Sequence, residues 1–203
     1  IKEIEQIFDL KLEMSLLEKS RNLKEKLETS NLSGDKIMEL KEGADNIKDA
    51  KDYQNLSKDY AEFKERAEQE NIDISKEIEE LRETKSYDLA KKKKEEVEDI
   101  LKESILTDSQ RKDFLEEIKK LESAKDSEKL ISDARKLEAD IDKFLEQGFI
   151  SQETRDNLII EINELKDLFS AQVDLKEKEL AKQTTLSDAQ RKWEELIEKS
   201  GLK

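Results

Sequence analysis

The sequence predicts an all-α protein, an elongated array of antiparallel three-helix bundles linked by long helices. Three observations carry that expectation. Apolar residues recur at alternating steps of three and four, which places them on one face of a helix. The 203 residues hold 18 Ile against two Val and no Pro, a balance that disfavours sheet and suits helices. The order long helix, short helix, medium helix then restarts along the chain, which points to a modular repeat.

Each element follows from its own residues. A first apolar series through Ile4, Phe8, Leu10, Met14, Leu17, Leu23 and Leu27 stops before Asn31-Leu32-Ser33-Gly34. A short helix carries Ile37, Leu40, Ala44 and Ile47. Asp52 then offers an N-cap to a third, in which Tyr53, Leu56, Tyr60, Phe63 and Ala67 share a face. Each stripe covers one face only, so each helix must pack on another. Ser75 reads as the cap of a long helix over about 76–103, with Ile78, Leu81, Leu89, Val97, Ile100 and Leu101 inward. Thr107-Asp108-Ser109-Gln110 fits a capping box, in which hydroxyl and amide satisfy each other's orphan backbone N–H groups. It opens a short helix with Phe114, Ile118 and Leu121. Asp126 caps the next, with Leu130, Ala134, Leu137, Ile141 and Phe144, and Gly148 supplies a left-handed stop. A third long helix starts at Ser151 and carries Leu158, Ile162, Leu165, Phe169, Val173 and Leu180. Ser187-Asp188-Ala189-Gln190 forms a second capping box ahead of Trp193, Leu196 and Ile197. The expected units are 1–73, 75–148 and a partial one at 151–203.

The repeat is also visible residue by residue. Leu106-Thr-Asp-Ser-Gln-Arg-Lys112 returns 80 residues later as Leu186-Ser-Asp-Ala-Gln-Arg-Lys192. At an offset of 74, Leu32 falls on Leu106, Ala50-Lys51-Asp52 on Ala124-Lys125-Asp126, Leu56 on Leu130 and Asp59 on Asp133.

Composition narrows the chemistry. Lys and Arg number 39 and Asp and Glu 53, a net charge of −14, so phosphate backbones and anionic lipid are repelled. Leu, Ile, Val and Phe still total 52 residues, about 26%, which clears the rough 20% level below which high charge implies disorder. Missing Cys and His remove thiol nucleophiles, imidazole bases and the usual zinc and haem ligands. Paired carboxylates such as Glu79-Glu80, Glu95-Glu96 and Glu116-Glu117 lie off the apolar stripes, where nothing separates their pKa values for acid–base work. No glycine loop cradles a phosphate, and no apolar run approaches the roughly 20 residues that span a bilayer. The expectation is a binding protein with no enzymatic activity, no cofactor and no bound metal.

The second unit resembles a known family. Glu98-Asp-Ile-Leu-Lys-Glu-Ser-Ile-Leu-Thr-Asp-Ser-Gln-Arg111, Phe114-Leu115 and Leu130-Ile-Ser-Asp-Ala-Arg-Lys-Leu137 look like the immunoglobulin-binding domains of staphylococcal protein A. The same skeleton is similar to the albumin-binding modules of Gram-positive cell-wall proteins. Both families are small three-helix bundles. The resemblance places binding-face apolar positions on Leu89, Leu101 and Leu115 and a lysine on Lys119. It places expected glutamines on Lys93, Lys94 and Glu116 and an expected tyrosine on Glu98, which puts charge where that interface is neutral and points away from antibody Fc.

Lys91-Lys92-Lys93-Lys94 reads as a solvated face offset by Glu95-Glu96. Trp193 reads as core, with a binding contact as its alternative. Phe149 and Ile150 read as packing between units, and Tyr53, Tyr60 and Tyr87 as core edges. The expected function is a bacterial surface adhesin region, extracellular or wall-anchored and monomeric. It would bind a host plasma or matrix protein through a helix–helix face bearing Leu89, Leu101, Leu115, Lys119 and Trp193. The alternative is a helical or coiled-coil spacer that binds only itself.

Overall fold

The computed structural model describes residues 2–173, all of whose regular elements are helices. They are α1 (Lys2–Glu28), α2 (Gly34–Asp49), α3 (Tyr53–Gln69), α4 (Ser75–Lys102), α5 (Asp108–Glu122) and α6 (Ser127–Glu146), followed by α7, described over 152–173. The all-α expectation holds. The expected continuation past 173, with the Ser187 capping box and Trp193, lies outside the described residues.

Local chemistry sets the ends. The Asp52 carboxylate accepts from the Asn55 N–H at 2.8 Å, and Asp126 accepts from the Lys129 N–H at 2.7 Å. The Thr107–Gln110 capping box forms in both directions. Ser151 caps α7 through the Thr154 N–H at 3.1 Å. Ser75 does not cap; it is the first residue of α4, and the cap position falls on Ile74, which has no side chain able to accept. Gly148 takes φ 73°, with the Gly148 N–H donating to Leu145 C=O and Phe149 N–H to Phe144 C=O, the double bond of a Schellman stop. Asn71, at φ 54°, ends α3 the same way through Glu68 C=O and Ala67 C=O.

Packing departs from separate three-helix bundles. α2 packs on both α1 and α3, and α1, α2 and α3 each also pack on α4. Lys19–Glu80 at 2.5 Å, Lys26–Glu77 at 2.8 Å, and the pairs Lys91–Asp9 and Tyr60–Glu79 all cross the boundary expected near 74. Ile74, Ile78 and Leu81 are buried in the same core as Leu23, Leu27, Leu40, Ile47, Leu56 and Phe63. The unit expected at 1–73 is therefore closed by a fourth helix. Further along, α4 packs on α5 and α5 on α6. α7 closes that set: Arg155 bonds Asp142 of α6 at 2.9 Å, and Lys93 of α4 lies 2.9 and 3.0 Å from Glu161 and Glu164. α4 thus completes the first unit and starts the second.

This relay explains the lysine run. Successive helical residues point about 100° apart, so four in a row reach four directions. Lys91 pairs with Asp9 of α1, Lys92 with Asp88, Lys93 with Glu161 and Glu164 of α7, and Lys94 with Glu122 of α5 at 2.8 Å. Lys91, Lys93 and Lys94 brace α4 against three other helices, while Lys92 stays on the solvated face expected and Glu95 and Glu96 offset Lys91 and Lys93. Burial works against the charge of Lys93, but hydrogen bonding and charge from Glu96, Glu161 and Glu164 outweigh it and hold the ammonium well above its ordinary range.

α1 corrects the sequence in another way. Leu10, Met14 and Leu17, expected inward, are 59%, 67% and 55% exposed, and with Ile7 at 54% they form an outer stripe. The buried face is Leu16, Ser20, Leu23 and Leu27. The cause is length. α1 has 27 residues and α2 only 16, about 40 and 24 Å at 1.5 Å per residue. The antiparallel pair Lys24–Asp45 at 2.6 Å, continued residue for residue, brings α2 to its end beside Ser20. The first half of α1 then runs beyond α2 along α4, tied to it by Asp9 and Lys91. A cleft of about 370 Å³ opens beside it, lined by Leu12, Leu16, Leu17, Lys48, Lys85 and Asp88 among others. Lys85 and Ser86 are buried in α4, where the apolar spacing gave no sign of them.

Candidate functional site

The face expected to carry binding does not assemble. Leu89 and Leu101 are 3% and 1% exposed, because both lie on sides of α4 turned into the cores. Leu115 is half-buried against the core. Lys119 is exposed and bonds Glu116 of its own helix at 2.8 Å. Trp193 lies outside the described residues. Of the four that are described, Leu115 and Lys119 offer surface.

A groove does form elsewhere in the second unit, between α6 and α7. Its volume is about 360 Å³, with Leu130, Ile131 and Ala134 on one side and Lys166, Asp167 and Ser170 on the other. Leu130 and Ala134 belong to the core and form the floor, while Ile131 is 46% exposed on the rim. Arg135 and Glu138 continue the rim on α6. On α7, Lys166 donates to the Asn163 side-chain oxygen at 2.8 Å, and the Asn163 amide donates to Ile159 C=O at 2.9 Å.

The first unit shows how the same place looks when filled. Its groove, between α3 and α4, is occupied by Tyr60. The phenol O–H donates to Glu79, and the Arg82 guanidinium stands 4.4 Å from the ring centroid. Burial, helped by that bond to Glu79, pushes the Tyr60 hydroxyl up to about 12. The 74-residue offset that carries Asp59 onto Asp133 carries Tyr60 onto Ala134. One large side chain replaced by a methyl accounts for the open groove. Sequence reading missed it because a missing side chain leaves no motif; only the comparison of the two units exposes it.

Among the described residues, no group of His, Cys, Asp or Glu is placed to hold a metal ion, and no helix is long and apolar enough to cross a membrane. No protein-family model, curated protein or solved structure matches the chain.

Proposed function

We propose that this chain is a non-enzymatic region of a bacterial surface adhesin that binds a host plasma or matrix protein through a helix–helix face. The observation that carries the reading is the α6–α7 groove, an apolar floor with a rim of both charge signs in a unit whose neighbour has the same place filled. An apolar centre ringed by polar groups is the usual anatomy of a protein contact. The resemblance of residues 98–137 to modules of Gram-positive surface proteins supports the extracellular setting. Binding of this kind involves complementarity and no bond-making step.

The test is affinity capture from human plasma and from tissue-matrix extract on the immobilised chain, read by mass spectrometry. One dominant host protein, retained at moderate salt and lost with Ile131→Asp, supports the reading. Empty beads from both sources refute it. The second reading, a helical spacer, is favoured by the relay of long helices, and empty beads with a monomeric, cooperatively folded chain would select it.

A further inference from the structure

We infer that the α6–α7 groove is a pocket for an aromatic side chain presented by a protein partner, in the position that Tyr60 fills within the first unit. The inference rests on the adhesin reading only in taking the partner to be a protein; the pocket's chemistry stands on the two units themselves.

The α3 and α6 walls correspond closely. Asp52 and Asp126 make the same cap, and Leu56 and Leu130 are both buried, so Tyr60 and Ala134 occupy one position. The opposite walls correspond too. Ile74, Ile78 and Leu81 are buried at the start of α4, and Leu158, Ile162 and Leu165 are buried in α7 at the same four–three spacing. Laid on each other, these rows set Asn163 where Glu79 stands and Lys166 where Arg82 stands. Glu79 accepts the phenol O–H and Arg82 covers the ring in the first unit. In the second, an amide and a cation hold those two places beside a vacant position for the ring.

The vacancy suits an aromatic group better than an aliphatic one. Its volume, about 360 Å³, exceeds that of a single aromatic side chain, and Leu130 and Ala134 give it an apolar floor. Lys166 stands on one wall and Arg135 on the other, and Arg135 has no ion-pair partner among the described residues. A cation over a ring face is attracted by the ring's quadrupole, which an aliphatic chain lacks. Asn163, whose side-chain oxygen holds Lys166 at 2.8 Å, is neutral, so it brings no second charge to the place where Glu79 meets the phenol of Tyr60.

The probes are N-acetyl-tyrosinamide and N-acetyl-leucinamide, titrated into the whole chain and followed by the NMR methyl signals of Ile131 and Ala134. The expected result is saturable shifts with the tyrosine probe, about two- to fivefold tighter than with the leucine probe, as one exposed cation–ring contact gives. Ala134→Tyr fills the pocket from within and abolishes the response at Ile131, with a thermal midpoint equal to or above that of the parent. Tyr60→Ala opens the first groove and adds a second tyrosine-responsive site around Leu56. Equal responses to the two probes, or an unchanged response in Ala134→Tyr, overturn the pocket. Host-protein capture that persists on Ala134→Tyr overturns it as the docking point while leaving the adhesin reading in place. Empty capture with a positive, Ala134→Tyr-sensitive titration removes host adhesion and keeps the pocket.

Discussion

Cutting the chain before α4 should unfold the first unit, although residues 1–73 contain a full set of long, short and medium helices. The loss can be worked from the core. Removing α4 withdraws Ile74, Ile78 and Leu81, each no more than 3% exposed, from contact with α1–α3. Burying one such side chain is worth about 1.5–3 kcal/mol, so three are worth about 5–9 kcal/mol. A small domain has only about 5–15 kcal/mol in total. The bonds from Lys19 to Glu80 and from Lys26 to Glu77 go as well, but half-exposed pairs add at most about 1 kcal/mol each. Fragments 1–73 and 1–104 should be compared by circular dichroism during thermal unfolding and by amide hydrogen exchange. The longer fragment should melt cooperatively with protected amides in α2 and α3, and the shorter should show little protection. A cooperative transition in 1–73 within a few degrees of that of 1–104 would refute the shared-core reasoning.

Other outcomes follow from single positions. A Cβ at Gly43 would come 2.8 Å from the Phe63 ring, so Gly43→Ala should destabilise by about 1–3 kcal/mol in urea unfolding despite alanine's better helix propensity. Asp52→Ala and Asp126→Ala should each cost about 1 kcal/mol, and by similar amounts, because they remove the same cap. Leu101→Lys should lower the thermal midpoint sharply, whereas Lys119→Ala, at an exposed pair, should shift it little in the same melting experiment. Burial raises the Glu161 carboxyl above its ordinary range, Lys93 opposing that only in part. A folded pKa above the unfolded one means the native state binds more protons across the interval between them, so ionisation of Glu161 costs stability as pH rises through it. Glu161→Gln should therefore raise the midpoint at neutral pH and weaken its rise on acidification through the interval just above the ordinary glutamate range.

The legibility of this fold in its sequence is uneven for physical reasons. Caps depend on two or three adjacent residues, so Asp52, Thr107, Asp126, Ser151 and Gly148 were readable; Ser75 failed because α4 starts one residue early. Stripes with one apolar face, as in α3 and α6, placed Leu56, Phe63, Leu130 and Leu137 in the core. α1 carries apolar residues on two faces, and periodicity cannot decide which face meets a neighbour. That depends on how far α2 extends. α4 faces two cores, so residues between its stripes are enclosed too, which is why Lys85 and Ser86 escaped notice; Leu89 and Leu101 are inward as their spacing predicts, and only the family resemblance gave them a surface role. At the groove, the decisive feature is Ala134, an unremarkable helix residue until Tyr60 is set beside it.

The double service of α4 also governs how such a chain can grow or shrink. Deleting α2 and α3 alone would strip the apolar row at Ile74, Ile78 and Leu81, and deleting α5 and α6 would leave Val97 and Leu101 bare. A change that keeps every row covered must remove or add one whole period, cut at the same phase of a long helix. The two internal offsets, 74 and 80 residues, are both of that size. Length in this architecture is counted in whole periods, and the joint that a duplication must reproduce lies in the middle of a helix rather than in a loop.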